Sequence, residues 1–407
     1  MDNKKPINRN VILTGLTSFF TDISSEMTYP LLQGYISAIM RTKAAFLGPV
    51  LGIIEGISES TASLLKVFSG YYSDKMQNRK APTIAGYGLS ALSKILYFFP
   101  FWPSVLAARF SDRVGKGIRT APRDAIITES TPPEAQGRAF GFQRGMDFAG
   151  AFLGTLTCFL IIKFLLPGAN LMESPRAFLP IFIISLVPAV LGVIFLFFIR
   201  EERVNTAAKK EKPKPNLDFR KYDKSLQMFF IVQFIFTLGN SSNQFLLLRS
   251  TKLGYTLSAV LIMYIIFNLS STVFSPFFGS LSDKIGRKKL LMAGYSLYAL
   301  IYISFGFIGE STRVLLFLFW PVYGLYYAMI EGVEKAYVAD LSPKESKATA
   351  LGFYNTIVGI GLLPASVIAG FLFSYSPRMP FIFGGVMGVA AVIMLAFVPS
   401  APGKKAA

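Results

Sequence analysis

The chain has 407 residues, of which 52% are hydrophobic and only 16% are charged, and its formal net charge is +18. A soluble protein carries about 25% charged residues. Here the apolar residues form blocks of about 20, long enough to cross a bilayer as helices, which excludes a soluble globular protein. The positive charge does not indicate nucleic-acid binding, because the cations cluster in short loops between the apolar blocks, as the positive-inside rule describes.

Two scarce residue types narrow the possible chemistry. The sequence contains no histidine, and its one cysteine, Cys158, lies inside an apolar block. Without histidine, any proton transfer near neutral pH has to use carboxylates. We also find no nucleotide-binding motif, no nucleophile motif and no cluster of metal-ligating residues. We therefore expect no enzyme activity, no metal site and no cofactor.

In chain order, the apolar blocks predict twelve membrane-spanning helices. A polar stretch at 200–224, rich in lysine and proline and carrying nine Lys or Arg residues, predicts a cytoplasmic linker between the sixth and seventh helices. The expected segments are a first bundle at 1–199, this linker, and a second bundle at 225–407, with both termini cytoplasmic. The predicted helices lie at 10–38, 46–71, 82–101, 103–127, 138–163, 177–199, 226–249, 256–280, 289–308, 313–338, 346–373 and 380–398.

The two halves of the sequence repeat each other. The stretch "GYYSDKMQNRK" at 70–80 returns as "GSLSDKIGRKK" at 279–289, 209 positions later, and 123–142 aligns without gaps on 334–353. Two related six-helix bundles are typical of transporters that work by alternating access. The predicted fold class is therefore an all-α membrane protein with twelve transmembrane helices in two pseudo-symmetric six-helix bundles.

The repeated loop motif carries a family resemblance. The pattern G-x-x-x-D-K-x-G-R-K-K at 279–289 resembles the signature of the major facilitator superfamily, and the copy at 70–80 has Gln77 where that signature prefers glycine. "TDISSEMTYP" at 21–30 is similar to a bacterial and archaeal subgroup of these permeases that is mostly labelled multidrug-type or left unassigned. The resemblance implies that the motif residues latch the cytoplasmic side; the alternative is a basic loop that only sets topology. The implied latch residues are Gly70, Asp74, Lys75 and Arg79, with Gly279, Asp283, Lys284, Gly286 and Arg287.

Charged residues within the first predicted bundle form a second pattern. Seven charged residues of the fourth helix fall within one arc, and a charge in a bilayer is costly unless it is paired or faces water. Seven acids nearly balance eight bases, a count that includes Lys94, so we expect mutual pairing more than a vacant anion site. The alternative is that one or two carboxylates couple transport to protons. The candidates for this network are Asp22, Glu26, Glu55, Glu59, Lys66, Arg109, Asp112, Arg113, Lys116, Arg119, Arg123, Asp124, Arg144 and Asp147.

The second half presents a more neutral set of polar residues. The seventh predicted helix offers amides that donate and accept hydrogen bonds, and the tenth carries tyrosines and acids on one face. We expect these residues to line a substrate cavity: Asn240, Asn243, Gln244, Tyr323, Tyr327, Glu331, Glu334 and Lys335.

These patterns predict a secondary active transporter in the inner (cytoplasmic) membrane. It would move a small polar or charged organic solute by alternating access, coupled to protons, with efflux slightly favoured. Uptake of a charged metabolite, peptide-like solute or siderophore is the alternative, and a non-transporting membrane receptor is a remote one. The expected partners are the solute, protons and the lipid bilayer, with no nucleic acid, and the expected state is a monomer.

Overall fold

The fold was analysed in a computed structural model that describes residues 7–76, 78–132, 135–168, 171–200, 219–343 and 347–399. Within these residues every regular element is a helix and there is no strand. The first half of the chain contains seven α-helices: α1 (Arg9–Thr28), α2 (Leu32–Ile39), α3 (Leu47–Met76), α4 (Lys80–Ser93), α5 (Trp102–Glu129), α6 (Gln136–Leu160) and α7 (Leu179–Phe197).

The second half contains seven more α-helices in its described part. They are α8 (Lys224–Gly239), α9 (Gln244–Lys252), α10 (Leu257–Ile285), α11 (Arg287–Phe307), α12 (Leu316–Leu341), α13 (Lys347–Tyr375) and α14 (Met379–Phe397).

The predicted twelve-helix architecture is confirmed, with two of the twelve predicted helices broken. The first is divided into α1 and α2 by a 3-10 turn at Tyr29–Leu31 that contains Pro30, a residue that cannot donate the helical hydrogen bond. The seventh is divided into α8 and α9 by the polar residues 240–243. Each broken helix contributes two α-helices, which gives the fourteen described above.

Seven stretches of the described chain are long and apolar enough to cross a membrane by length and composition. They begin with α6 and include every later predicted span except the seventh, which is broken. The earlier helices carry charge or are interrupted, and α5 in particular contains the charged stripe predicted above.

The helices group into two compact units, and four helix pairings of one unit recur in the other. Unit 1 contains residues 1–39 and 65–214, and unit 2 contains residues 40–64 and 215–407. In unit 1, α1 packs against α6 and α7, and α4 packs against α5 and α7. In unit 2, α8 packs against α13 and α14, and α11 packs against α12 and α14. The same four pairings therefore occur in each repeat.

One part of this division differs from the predicted segments, because residues 40–64 belong to unit 2. Three glycines at four-residue spacing explain the grouping. A Cβ atom at Gly48 would meet the carbonyl oxygen of Gly370, and one at Gly52 would meet that of Ser366. At Gly56 it would lie 2.9 Å from the oxygen of Leu363. Small residues of this kind let two helix backbones approach closely, here the first half of α3 and α13.

A hydrogen bond extends this contact one turn further along α3. The Ser60 hydroxyl donates to the carbonyl oxygen of Gly359 at 2.6 Å. The line formed by Gly48, Gly52, Gly56 and Ser60 is called the α3 ladder below. Its four residues bind the start of the second predicted span to unit 2.

Glycines hold two helices of unit 1 together in the same way. A Cβ atom at Gly150 or at Gly154 of α6 would meet the carbonyl oxygen of Phe19 or Ile23 in α1, respectively. Gly145 is different, since a Cβ atom there would have no atom within 4 Å. Most of the predicted linker, 201–218, lies outside the described residues.

Candidate functional site

A polar pocket in unit 1 lies where α1, α4 and α5 meet. Its lining includes Ser25, Glu26, Tyr29, Lys94, Arg109, Asp112 and Arg113. Beside these side chains, α1 is followed by a 3-10 turn that begins at Tyr29, and α4 is followed by a 3-10 segment that begins at Lys94. We call this site the α1–α4–α5 pocket.

The bases of the pocket are held in different ways. The Arg109 guanidinium lies 4.9 Å from the centre of the Tyr29 ring, a cation–π contact. Arg113 Nε lies 3.8 Å from Asp112 Oδ2, at the outer range of an ion pair. The Lys94 ammonium donates to the Ser25 hydroxyl at 3.4 Å.

A second cluster in unit 1 is organised around Ser18 of α1. The Ser18 hydroxyl accepts hydrogen bonds from Arg123 at 3.1 Å and from the Gln143 amide at 2.5 Å, and it lies 3.0 Å from the Tyr87 hydroxyl. Arg119 lies over the Tyr87 ring, with its guanidinium carbon 4.3 Å from the ring centre. The cluster joins α1, α4, α5 and α6 through one small hydroxyl.

The other acids of unit 1 have mixed surroundings. Asp124 forms an ion pair with the neighbouring Arg123 at 2.8 Å, and Asp147 accepts from the Gln143 amide at 3.1 Å. The charged groups that interact with Asp22 are Asp147, Lys116, Arg119 and Glu26.

In unit 2, the break between α8 and α9 forms a polar centre. The Ser242 hydroxyl donates to the carboxylate of Glu55 at 2.8 Å, and the Tyr323 hydroxyl donates to Asn243 Oδ1 at 2.9 Å. The Asn240 amide donates to the Tyr326 hydroxyl at 3.1 Å. Since residues 240–243 are not helical, their side chains and backbone are presented together, as happens at broken helices in transporters.

Tyrosines from α11 and α12 pack beside this polar centre. The rings of Tyr298 and Tyr302 are 4.2 Å apart, and those of Tyr323 and Tyr326 are 5.3 Å apart. The Tyr298 hydroxyl donates to the carbonyl oxygen of Gly239, at the C-terminal end of α8. This arrangement gives unit 2 an aromatic interior with hydroxyl groups at its edges.

One carboxylate of unit 2 lies among neutral polar groups. Glu334 is 5% exposed, and its two oxygens accept hydrogen bonds from the hydroxyls of Tyr295 at 2.8 Å and Tyr354 at 2.6 Å. Among the residues that the structure describes, no Lys or Arg nitrogen lies within 4.0 Å of it. Its neighbours on α12, Glu331 and Lys335, have exposed side chains.

The loop motifs make the same contacts in both units. In unit 1, Arg79 pairs with Glu129 at the end of α5 at 3.4 Å. In unit 2, Arg287 pairs with Asp340 at the end of α12 at 2.9 Å and with Asp283 at 3.3 Å. Both pairs join the start of one helix to the end of another in their own unit.

The lysine that follows each motif arginine also makes matching contacts. Lys80 donates to the carbonyl oxygens of Phe197 and Ile199, at the C-terminal end of α7, at 2.9 and 2.8 Å. Lys288 donates to the carbonyl oxygens of Ala396 and Val398, at the C-terminal end of α14, at 2.8 and 2.7 Å. A cation at a helix C-terminus is favourable because the last carbonyls carry partial negative charge.

These contacts change the alignment of the two motifs by one residue. The sequence spacing of 209 pairs Arg79 with Lys288, whereas the structural contacts pair Arg79 with Arg287 and Lys80 with Lys288. Gly286, the one residue between α10 and α11, has φ of 94°, a conformation that favours glycine.

Comparison with known proteins identifies the family. The sequence model of the Major Facilitator Superfamily matches residues 14–247 and 229–407, so the two matches together extend over nearly the whole chain. The chain belongs to the major facilitator superfamily. An uncharacterized MFS-type transporter of Methanocaldococcus jannaschii is 37% identical to this facilitator over 98% of the chain and 96% of the relative.

The names of other similar proteins record different solutes. The quinolone resistance protein NorA of Staphylococcus aureus is 34% identical over 142 residues, 35% of this chain and 36% of the relative. Among solved structures, a D-xylose-proton symporter aligns with a TM-score of 0.74 at 16% identity over 97% of this chain and 99% of that chain. The nucleoside transporter NupG aligns equally well, at 15% identity over 95% and 98%. At these identities the structures show a shared fold.

The structure brings together only part of the predicted charge network of this facilitator. Its members on α1, α5 and α6 lie in unit 1, as does Lys66 of α3, whereas Glu55 and Glu59 lie in unit 2. Arg144 is exposed and lies over the Phe148 ring at 4.7 Å. The surroundings of Gly70 and the side chains of Asp74 and Lys75 lie outside what the structure describes.

The predicted cavity residues are also divided. Four of them lie around the α8–α9 break: Asn240, Asn243, the buried Gln244 and Tyr323. Tyr327 packs against Tyr323 with 5.4 Å between ring centres.

In the second loop motif, Asp283, Lys284 and Gly286 are exposed, and a Cβ atom at Gly279 would meet nothing within 4 Å.

Sequence reasoning missed several residues that the structure places in these sites. Gln143 and Tyr295 are ordinary residues of apolar helices in the sequence, and only the packing shows their contacts with Ser18 and Glu334. Glu129 and Asp340 had a usable signal, because the gapless alignment of 123–142 with 334–353 pairs them. Among the described residues there is no group of His, Cys, Asp and Glu that could hold a metal ion.

Proposed function

We propose that this facilitator is a proton-coupled transporter that moves a small polar or charged organic solute by alternating access, and that it works as an exporter. As part of this proposal, the protein is a monomer of the cell membrane with both termini in the cytoplasm, and it is not an enzyme. The observation that carries the proposal is the environment of Glu334.

Glu334 is buried and has neutral hydrogen-bond partners. Its titratable neighbours are Tyr295 of α11 and Tyr354 of α13, together with Lys335 on its own helix, and α8 contributes the amide of Gln233. An adjacent cation within ion-pair distance would hold a carboxylate in its charged form. Because none lies within that distance among the described residues, both the charged and the protonated form of Glu334 can be accommodated.

A count of hydrogen atoms supports two protonation states. The Tyr295 hydroxyl lies 2.8 Å from Glu334 Oε1 and 2.9 Å from Gln233 Oε1, but it has one hydrogen to donate. One complete arrangement has a protonated Glu334 that donates to Tyr295, which in turn donates to Gln233. The other has an ionised Glu334 that accepts from Tyr295, with the Gln233 amide turned so that its N–H donates. The cluster can therefore take up and release a proton with the same side chains.

The carboxylates in unit 1 suit this role less well, with one exception. Asp112 and Asp124 lie beside the arginines Arg113 and Arg123. Asp22 is the exception, because it has no ion pair within 4.0 Å among the described residues, and the repulsion from Asp147 and Glu26 opposes the attraction from Lys116 and Arg119. We therefore propose Glu334 as the principal proton site and Asp22 as the second candidate.

Export is favoured by the local similarity to a resistance protein. The match to NorA covers about a third of each chain at 34% identity, and quinolone resistance is the property that its name records.

The Arg79–Glu129 and Arg287–Asp340 pairs support a further part of the proposal, that the loop motifs latch the helix ends of each unit.

The test uses everted membrane vesicles with an acidic interior, in which a dye reports the pH gradient. We expect a transported solute, with a quinolone tested first and a panel of polar organic solutes after it, to partly collapse the gradient in wild-type vesicles. Glu334→Gln should abolish that collapse, whereas the exposed Glu310→Gln of the same unit should keep it. Full gradient collapse in Glu334→Gln vesicles would contradict the proposed role of Glu334.

A further inference from the structure

The α1–α4–α5 pocket contains a buried ammonium group, that of Lys94, whose attractive charge partner is Asp112 and which has no described ion pair with it. Lys94 is 3% exposed, and its described hydrogen bond is the 3.4 Å contact with Ser25. An ammonium group carries three hydrogens to donate. Among the described residues, no carboxylate oxygen lies within 4.0 Å of its nitrogen. Burying a charge without such compensation is costly.

The rest of the pocket adds positive charge. Arg109 and Arg113 also line it, so that three bases face two acids, Glu26 and Asp112. Arg119 interacts electrostatically with the same Asp112. By formal charge, the lining of the pocket therefore has one base more than it has acids.

The division into units changes the count of charges that lie within unit 1. The sequence suggested seven acids against eight bases, a surplus of one base that argued against a vacant anion site. Because Glu55 and Glu59 belong to unit 2, unit 1 retains five of those acids and all eight bases. The five are Asp22, Glu26, Asp112, Asp124 and Asp147.

We infer that the α1–α4–α5 pocket binds the anionic group of the transported solute, a carboxylate or a phosphate, with Lys94 as its principal contact. Arginines bind such oxyanions through paired N–H donors, and Arg109 and Arg113 line the same pocket as Lys94. Asp112 Oδ1 is buried without a hydrogen bond, so a hydroxyl of the solute can donate to it. The inference names the substrate class within the proposed transport function, and it rests on that function.

Anion binding can be measured without any transport step. The full-length protein is placed in nanodiscs of zwitterionic phosphatidylcholine, and its melting temperature is followed with sodium lactate, inorganic phosphate or the neutral lactamide at constant ionic strength. Lactate carries both a carboxylate and a hydroxyl group. We expect lactate or phosphate to raise the melting temperature, and lactamide to leave it unchanged.

Two substitutions assign the effect to Lys94. Losing a hydrogen bond between charged groups weakens binding about ten- to hundredfold, so Lys94→Met should remove the anion response while Lys94→Arg retains most of it. The control is Lys163→Met, an exposed lysine of the same unit. Without added anion, Lys94→Met should melt at or above the wild-type temperature, because an apolar side chain replaces an uncompensated charge.

Several outcomes would overturn the inference. It is wrong if neither anion stabilises the wild-type protein, or if Lys94→Met responds as the wild type does. A Lys94→Met protein that melts well below the wild type without anion would identify Lys94 as a structural residue instead. If stabilisation appears only when anionic phosphatidylglycerol is added to the nanodiscs, the ligand is a lipid headgroup and the solute assignment fails. None of these measurements depends on proton coupling, so they can fail while the proposed function holds.

Discussion

The α3 ladder gives the sharpest structural prediction, through the substitution Gly52→Ala. A Cβ atom at this position meets three backbone atoms: the carbonyl oxygen of Ser366, its carbonyl carbon at 3.1 Å and the Cα atom of Gly370 at 3.3 Å. Backbone atoms cannot rotate away as a flexible side chain can. The two helices must therefore separate, and the hydrogen bond from Ser60 to Gly359 should lengthen with them.

The net magnitude follows from two opposing effects. Overpacking of this kind costs about 1–3 kcal/mol, while alanine in place of glycine within a helix gains about 0.5–1 kcal/mol. We expect Gly52→Ala to destabilise the protein by about 1 kcal/mol, within limits of about 0 and 2.5 kcal/mol that these two ranges set. That loss should appear as a lower melting temperature in a fluorescence-based thermal unfolding assay of the protein in detergent.

A matched glycine of unit 2 gives the opposite expectation. Gly332 lies inside α12, and a Cβ atom there would meet nothing within 4 Å. Gly332→Ala should therefore keep the full gain in helix stability and raise the melting temperature. If Gly52→Ala is as stable as Gly332→Ala, the close contact between α3 and α13 is not present, and the assignment of residues 40–64 to unit 2 loses its physical basis.

The loop motif of unit 2 supports two further predictions. Arg287→Asp and Asp340→Arg should each lower transport in the vesicle assay, and the double variant should restore much of it. The free energy of unfolding should change by no more than about 1 kcal/mol, because the ion pair is partly exposed. Equal loss of transport in the single and double variants would contradict the latch. Lys288→Met should cost about 1–2 kcal/mol of stability, since two bonds to the last carbonyls of α14 are lost. Lys289→Met, at the exposed neighbouring lysine, serves as the control and should be near neutral in the same unfolding assay.

Much of the architecture could be predicted because it depends on local patterns. Apolar blocks of bilayer length located the twelve predicted helices, and the repeated motif and the alignment of 123–142 with 334–353 indicated two related halves. The one-residue shift between the two copies of the motif could not be predicted from the sequence. Gly286 lies between α10 and α11 with a positive φ, and only the contacts of Arg79 and Arg287 reveal the one-residue shift between the two motifs.

The functional residues were harder to predict because they depend on which helices meet. Glu55 lies on a charged face that the sequence assigns to the first bundle, but glycine packing turns that part of α3 towards α13 in unit 2. Lys94 looked like one base in a balanced set, and its poor compensation appears only when its neighbours are known. Glu334 is distinguished from Glu331, three residues earlier, by burial against Tyr295 and Tyr354.

The central claim, that Glu334 carries the coupled proton, is tested most directly by comparing two modes of transport in proteoliposomes. A solute that collapses the gradient in the vesicle assay is followed as net transport driven by a pH gradient, and as one-for-one solute exchange at equal pH. Glu334→Gln should lose the driven transport and keep the exchange, because exchange moves no net proton. If the variant still accumulates solute against its gradient when driven by pH, Glu334 is not the coupling site and the account is wrong.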